Sequence, residues 1–281
     1  MIVGAETRPV PLTEDEYEKM MAQIVKSKER SELHIPYKKG EVESIFLKTF
    51  KVVKDGKADF MMVQSPIQYM KFKSQVDALM VPIVSVALDS KKTSTVCAYV
   101  KKDSPYKTMA DLKGKVWGGV HTMEARALMN SEGINTPMKE FYKDILYVDD
   151  SVLADPFNEL KAGKINVYTT LSYIANMVIG SNKEYSTTIR SLACAEYEHN
   201  WILFAKKTVP KEIVDKLKTE LFVVHKKKDY AQFKIVMVAV KGRFLEFDPA
   251  ALARTAQLAA LSKKYGWEKE EQEFVKKKRP K

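Results

Sequence analysis

Polar residues able to hold a small ligand recur in one local setting in this chain: just after a short apolar run and just before a helix-forming stretch. Thr7 and Arg8, with Glu6, follow the run from Ile2 to Ala5. Gln64 and Ser65 follow Phe60 to Val63, and Tyr69 stands one turn further on. His121, Thr122 and Met123 follow KVWGGV, and Thr169 and Thr170 close INVYTT. The setting matters because open α/β sheets take ligands beyond the carboxyl ends of their strands. A helix start there offers unpaired N–H groups and the positive end of the dipole. Hydroxyls beside such amides suit an anion, and Arg8 can supply a two-pronged contact to an oxyanion. Each residue also has a plainer role. Ser65 can be no more than the cap of its own helix, Arg8 a solvated loop charge, and His121 a surface histidine.

Acidic neighbours cut across the anion reading. Glu124, two residues into the helix that Thr122 opens, favours the dipole but would repel a dianion. Asp149 and Asp150 follow the next strand-like run. An amine-bearing or zwitterionic ligand, or a flat one stacked on Tyr69 or Tyr168, is therefore the alternative.

Catalytic patterns are absent. The chain has no GxSxG elbow, HExxH, CxxC or Gly-rich phosphate loop, so neither cofactor nor metal is implied. His121 and Glu124, three apart, form a thin acid/base pair, and His199 near Glu196 and Glu198 reads more simply as strand-end polarity facing water. Cys97 and Cys194 read as two buried free thiols, with one bridge as the alternative.

These residues need elements to position them, and apolar runs alternate with helical periods along the chain. After Ile2 to Ala5, Thr13 and Glu16 form a capping box. SELHIPY is a second strand. A helix carrying Ile45, Phe46, Phe50, Val52 and Val53 on one side stops at Asp55-Gly56, and Phe60 to Val63 is the third strand. Such a βαβαβ order implies parallel pairing. ALMVPIVSVAL and STVCAYVKK lead to DSPYKTMADLKGK, after which the pattern restarts: KVWGGV, a helix ending at Gly133, DILYVD, a helix over SVLADPFNELKAGK, and INVYTT. SLACAEYEHNWILFAKK reads as a return strand, followed by helices opened by Pro210 and by Asp248-Pro249.

At 281 residues the chain is long enough for two lobes. Its 45% hydrophobic and 30% charged content suits a packed globular protein rather than a disordered one. The net charge of +11 gathers partly in KKK at 226–228 and in the tail VKKKRPK, which read as solvated runs. No nucleic-acid-binding module accompanies it, and no apolar run is long enough to span a bilayer. The opening Met-Ile-Val-Gly lacks a signal peptide, so the chain is either cytoplasmic or the mature form of an exported protein.

Three segments carry a family resemblance. DSPYKTMADLKGKVWGG resembles the lobe junction of type II periplasmic binding proteins, KVVKDGKADFMMVQSPIQY a segment of their first lobe, and NELKAGKINVYTT one of their second. The phosphonate, phosphite, sulfonate and taurine branch is the part of that family it resembles in particular. The resemblance implies an α/β fold of two lobes, each a mixed, mostly parallel sheet flanked by helices, joined by hinge strands at Val96 to Lys101 and about Glu196 to Ala205. Residues 1–96 would form the first lobe and 97–202 the second, with 203–281 returning to the first. It further implies a non-catalytic, monomeric, extracytoplasmic protein that closes on a small ligand between its lobes and hands it to an ABC transporter permease. The ligand would be an oxyanion held by Thr7, Arg8, Gln64, Ser65, Tyr69, His121, Thr122, Met123, Thr169 and Thr170. A serine-rich cluster at the start of the second-lobe helix, usual in phosphonate binders, is replaced here by GVHTMEARAL. A two-lobe enzyme or a ligand-sensing receptor domain is the alternative.

Overall fold

A computed structural model describes residues 42–88, 91–150, 152–223 and 242–278. The strands expected at Ile2 to Ala5 and in SELHIPY, the helix opened by Thr13, and the site residues Thr7 and Arg8 lie outside the described residues.

The chain divides into two units. The first includes Val42–Lys92 and Asn200–Pro249, and the second includes Thr93–His199 and Ala250–Lys281. In the first, α1 (Val42–Lys54) buries Phe46, Phe50 and Val53 on one face, the helical spacing read from the sequence. Gly56, in the left-handed region at φ 76°, follows its end. The strands β1 (Phe60–Val63) and β2 (Met80–Ala87) are linked by α2 (Pro66–Lys71) and α3 (Lys73–Leu79).

The second unit begins with β3 (Thr93–Lys101). A one-turn 3₁₀ segment, Met109–Leu112, leads to β4 (Val116–Gly119), α4 (Thr122–Ser131), α5 (Met138–Phe141) and β5 (Asp144–Tyr147). Then come α6 (Asp155–Lys161), β6 (Val167–Leu171), α7 (Ser172–Ser181), α8 (Lys183–Thr188) and β7 (Ile189–His199). The chain re-enters the first unit with β8 (Ile202–Lys206), α9 (Lys211–Val223) and β9 (Arg243–Glu246). It finishes in the second with α10 (Ala253–Tyr265) and α11 (Trp267–Lys278).

The first unit's described sheet has the order β1-β8-β2-β9, with every pairing antiparallel. The second has the order β5-β4-β6-β3-β7; β4 pairs parallel with β5 and β6, whereas β3 pairs antiparallel with β6 and β7. Among the described residues the second unit's sheet is mixed as expected, the first unit's is antiparallel throughout, and neither is mostly parallel. The strands by which the chain leaves and re-enters each unit run back against their neighbours.

Three boundaries differ from expectation. The chain changes unit at Lys92/Thr93 and at His199/Asn200, so Val96 to Lys101 lies within β3, and the expected return strand is two strands in two sheets. The third change, at Pro249/Ala250, puts the last two helices with the second unit instead of the first. Specific bonds hold α10 there: the buried Thr255 hydroxyl accepts the His199 N–H at 2.7 Å, and the Arg254 guanidinium donates to the Glu196 carbonyl at 3.0 Å. His199 is therefore fully buried, not a water-facing strand end.

Cys97 and Cys194 form a disulfide, so the free-thiol expectation fails. The register of β3 on β7 sets these residues opposite each other, with Cα atoms 4.1 Å apart. That spacing is close to a non-hydrogen-bonded antiparallel pair, where side chains approach most nearly. On the same strand pair Arg190 donates to the carbonyls of Lys102, Ser104 and Tyr106, clamping the Ser-Pro turn after β3.

Candidate functional site

In the second unit β4 delivers the chain to the start of α4, and its last two residues must be small. A Cβ on Gly118 would lie 2.5 Å from Ile165, and Gly119 has a φ of 151°. Trp117 is fully buried beside them, its indole N–H donating to the Thr169 hydroxyl on β6 at 3.1 Å.

The first turn of α4 lacks a side-chain cap of its own, because the His121 side chain makes no capping bond. Its imidazole Nε2 lies 3.1 Å from Asp150 Oδ2 instead. The turn is satisfied from elsewhere: the Met123 N–H donates to Glu271 Oε2 at 2.8 Å, and the Thr122 hydroxyl lies 3.4 Å from the same oxygen. One N–H group of this helix start thus holds a carboxylate, the behaviour its polarity dictates.

Glu271 comes from α11, which is anchored beside α4. Trp267 is buried, with the Arg126 guanidinium 5.8 Å from its ring. Arg126 Nε pairs with Glu270 at 3.1 Å, and Phe274 meets Trp117 edge-on with ring centres 6.1 Å apart.

Behind this start lies a buried acid. Glu124 is 8% exposed, its Oε2 has no hydrogen-bond partner, and desolvation followed by the charges of Glu271 and Glu198 pushes its carboxyl well above the ordinary range. Burial, together with the charges of Glu124 and Glu198, also raises the phenols of Tyr173 and Tyr197. Among the described residues, no group of three or more His, Cys, Asp or Glu could hold a metal ion.

The sequence-derived residues therefore divide. Thr122 and Met123 meet at one oxygen, with His121 adjoining them at the cap. Thr169 and Thr170 are buried in β6, and Thr169 is engaged with Trp117. His121 and Glu124 do not pair; His121 faces Asp150. In the first unit Gln64 is exposed and Ser65 half-buried before α2, without a side-chain cap bond. Tyr69 is no stacking platform: it is 2% exposed, packs 4.9 Å from Phe204, and donates to Asp77 at 2.8 Å, with its phenol raised to about 12. Tyr168 is likewise buried, edge-on to Phe157 at 5.3 Å.

Glu271 was missed because α11 is mostly charged. The signal available was spacing alone: Trp267, Glu270, Glu271 and Phe274 share one helical face.

Two α/β units joined by chain crossings, the second with a mixed sheet, have the architecture of type II periplasmic binding proteins. Residues 39–238 match the family model described as "ABC transporter, phosphonate, periplasmic substrate-binding protein", and the chain belongs to that family. No curated protein matches. Solved structures of the same fold include PhnD1 from Prochlorococcus marinus in complex with methylphosphonate, at 11% identity over 91% of this chain and 96% of that one, TM-score 0.60. Another is a binding-protein component of an ABC phosphonate transporter from Pseudomonas aeruginosa, at 13% identity over 90% and 84%, TM-score 0.59. The periplasmic aliphatic sulphonate binding protein SsuA from Escherichia coli is also similar, at 12% identity over 88% and 83%, TM-score 0.52.

Proposed function

We propose that this protein captures a small oxyanion of the phosphonate, phosphate-like or sulfonate class and delivers it to an ABC transporter permease, without chemical change to the ligand. The observation that carries this reading is the carboxylate held at the start of α4 by the Met123 N–H, with the Thr122 hydroxyl beside it. A tetrahedral oxyanion asks for the same donors. Family membership supplies the permease and the extracytoplasmic setting, and the Cys97–Cys194 bridge suits an oxidising compartment. Capture proceeds by a shift in conformational population, the ligand's differential contacts favouring the bound state.

A second reading is favoured by Glu124. Its unpartnered buried oxygen, near Glu198, suits a ligand that carries an ammonium group as well as the oxyanion. A thermal-shift comparison of ethylphosphonate with 2-aminoethylphosphonate, and of ethanesulfonate with taurine, tests both. A ligand at 100 times its Kd stabilises the native state by about 2.7 kcal/mol. Shifts with all four compounds support the oxyanion alone, shifts only with the amines support the zwitterion, and shifts with none overturn the oxyanion reading.

A further inference from the structure

We propose that Glu271 is a built-in competitor for the oxyanion seat and that α11 is the strap that carries it, so that ligand and Glu271 exclude each other at Met123 and Thr122. The inference rests on the oxyanion reading above. Exclusion follows from the donors: the Met123 N–H points at one acceptor, and Glu271 Oε2 is that acceptor at 2.8 Å. A ligand oxygen taking this bond must first displace the carboxylate.

The strap is held firmly enough to dock and lightly enough to leave. One large side chain, Trp267, is deeply buried, while Phe274 is half-buried and Glu270 ties the helix to Arg126. The rest of WEKEEQEFVKKK is dominated by charge, so the apolar cost of release falls chiefly on Trp267 and Phe274. Docking also carries an electrostatic cost, because Glu271 acts on the buried Glu124 as a like charge, alongside Glu198. A joint is present as well. Gly266, between α10 and α11, sits in the left-handed region at φ 67°, and nothing lies within 4 Å of where its Cβ would be. Reorientation there parts Trp267 from the Tyr265 ring, stacked at 5.9 Å, while the Thr255 and Arg254 contacts keep the rest of α10 secured to β7.

The test uses the full chain and methylphosphonate as probe, with affinities measured by calorimetry for wild type, Glu271→Gln, Glu271→Asp and Glu273→Gln. The Asp variant keeps the charge but shortens the reach. Glu273→Gln removes the same charge from an exposed position on the same helix. Both Glu271 variants should bind roughly tenfold tighter or more, the order expected when a charge-assisted hydrogen bond to the competitor is lost, and Glu273→Gln should match wild type. In wild type the probe should also speed amide hydrogen exchange along α11. If wild type binds and the Glu271 variants bind no tighter, the strap is overturned and the oxyanion reading stands. Tightening in Glu271→Gln but not in Glu271→Asp indicates a field effect and also overturns it. Binding by none of the four forms overturns the oxyanion reading and the strap together.

Discussion

Thr169 illustrates how a residue placed well for ligand binding can be committed to the fold. Its hydroxyl accepts the Trp117 indole N–H in a fully buried setting. Thr169→Ala should therefore destabilise the protein by about 1–3 kcal/mol, because a buried donor left without a partner loses its solvation without recompense. Thr169→Ser, which keeps the hydroxyl, should recover most of that loss. Urea unfolding of both variants checks the prediction, and equal stability of wild type and Thr169→Ala would place the indole bond elsewhere. Thr122→Ala, by contrast, should weaken oxyanion binding more than it alters unfolding. Its hydroxyl is one of two donors at the seat and lies at the longer distance of 3.4 Å.

Glu124 gives a pH signature. Its folded-state carboxyl is raised above the unfolded value of 4.5, so the folded protein binds the proton more tightly than the unfolded chain. The stability associated with that proton is fully present below the unfolded value and is lost as pH rises through the folded one. Glu124→Gln holds a neutral group there at every pH. The variant's stability relative to wild type should therefore climb as pH rises above about 4.5, levelling off once the wild-type carboxyl has ionised. Denaturant melts across the pH range would show this as a widening gap; a constant gap would mean that Glu124 is not titrating against burial.

At the scale of elements, the bridge between β3 and β7 should be a main determinant of the second unit's stability. It closes a loop of sequence separation 97, for which the chain-entropy account gives roughly 4–5 kcal/mol. Replacing both cysteines with alanine should lower the melting temperature by roughly 10 °C, and reductant should lower wild type but not the variant. An equal effect of reductant on both proteins would contradict the assignment. The pairing itself was not legible in the sequence, since a strand's partner and register are set by tertiary contacts that a single chain does not display. What was legible had strong periodicity or punctuation: α1 from Phe46, Phe50 and Val53, α4 from its position between KVWGGV and Gly133, and α6 from DPFNELK. The polar helix α11 had neither an apolar stripe nor a clear cap, so its carboxylate at the seat was invisible. The helices α7 and α8, which fill the interval before β7, were missed as well, although α7 is largely apolar and Asn182 caps α8. The anion-holding start of α4 was legible because it follows from local order, strand then helix. The burial of Tyr69, Tyr168, Thr169 and Thr170 was not, because it depends on what packs over them.

For the whole molecule, the net charge of +11 bears on how a ligand arrives. A positive protein raises the local concentration of an anion and speeds its encounter, an effect that salt suppresses once the Debye length shrinks to about 8–10 Å. The seat itself has acidic surroundings in Glu124, Glu198 and Glu271, so the overall charge and the local charge act in opposite directions. On the oxyanion reading, the overall charge would govern approach and the local charge retention. Association of methylphosphonate should therefore slow severalfold between low and physiological ionic strength, as electrostatic steering fades, while dissociation changes little. For 2-aminoethylphosphonate, whose ammonium offsets part of its phosphonate charge, the association rate should respond less to salt. Stopped-flow measurements over a salt series separate the two rates. If salt acts mainly on dissociation for both ligands, the acids around α4 control capture more than the basic surface does, and the surplus of lysine and arginine serves something other than ligand approach.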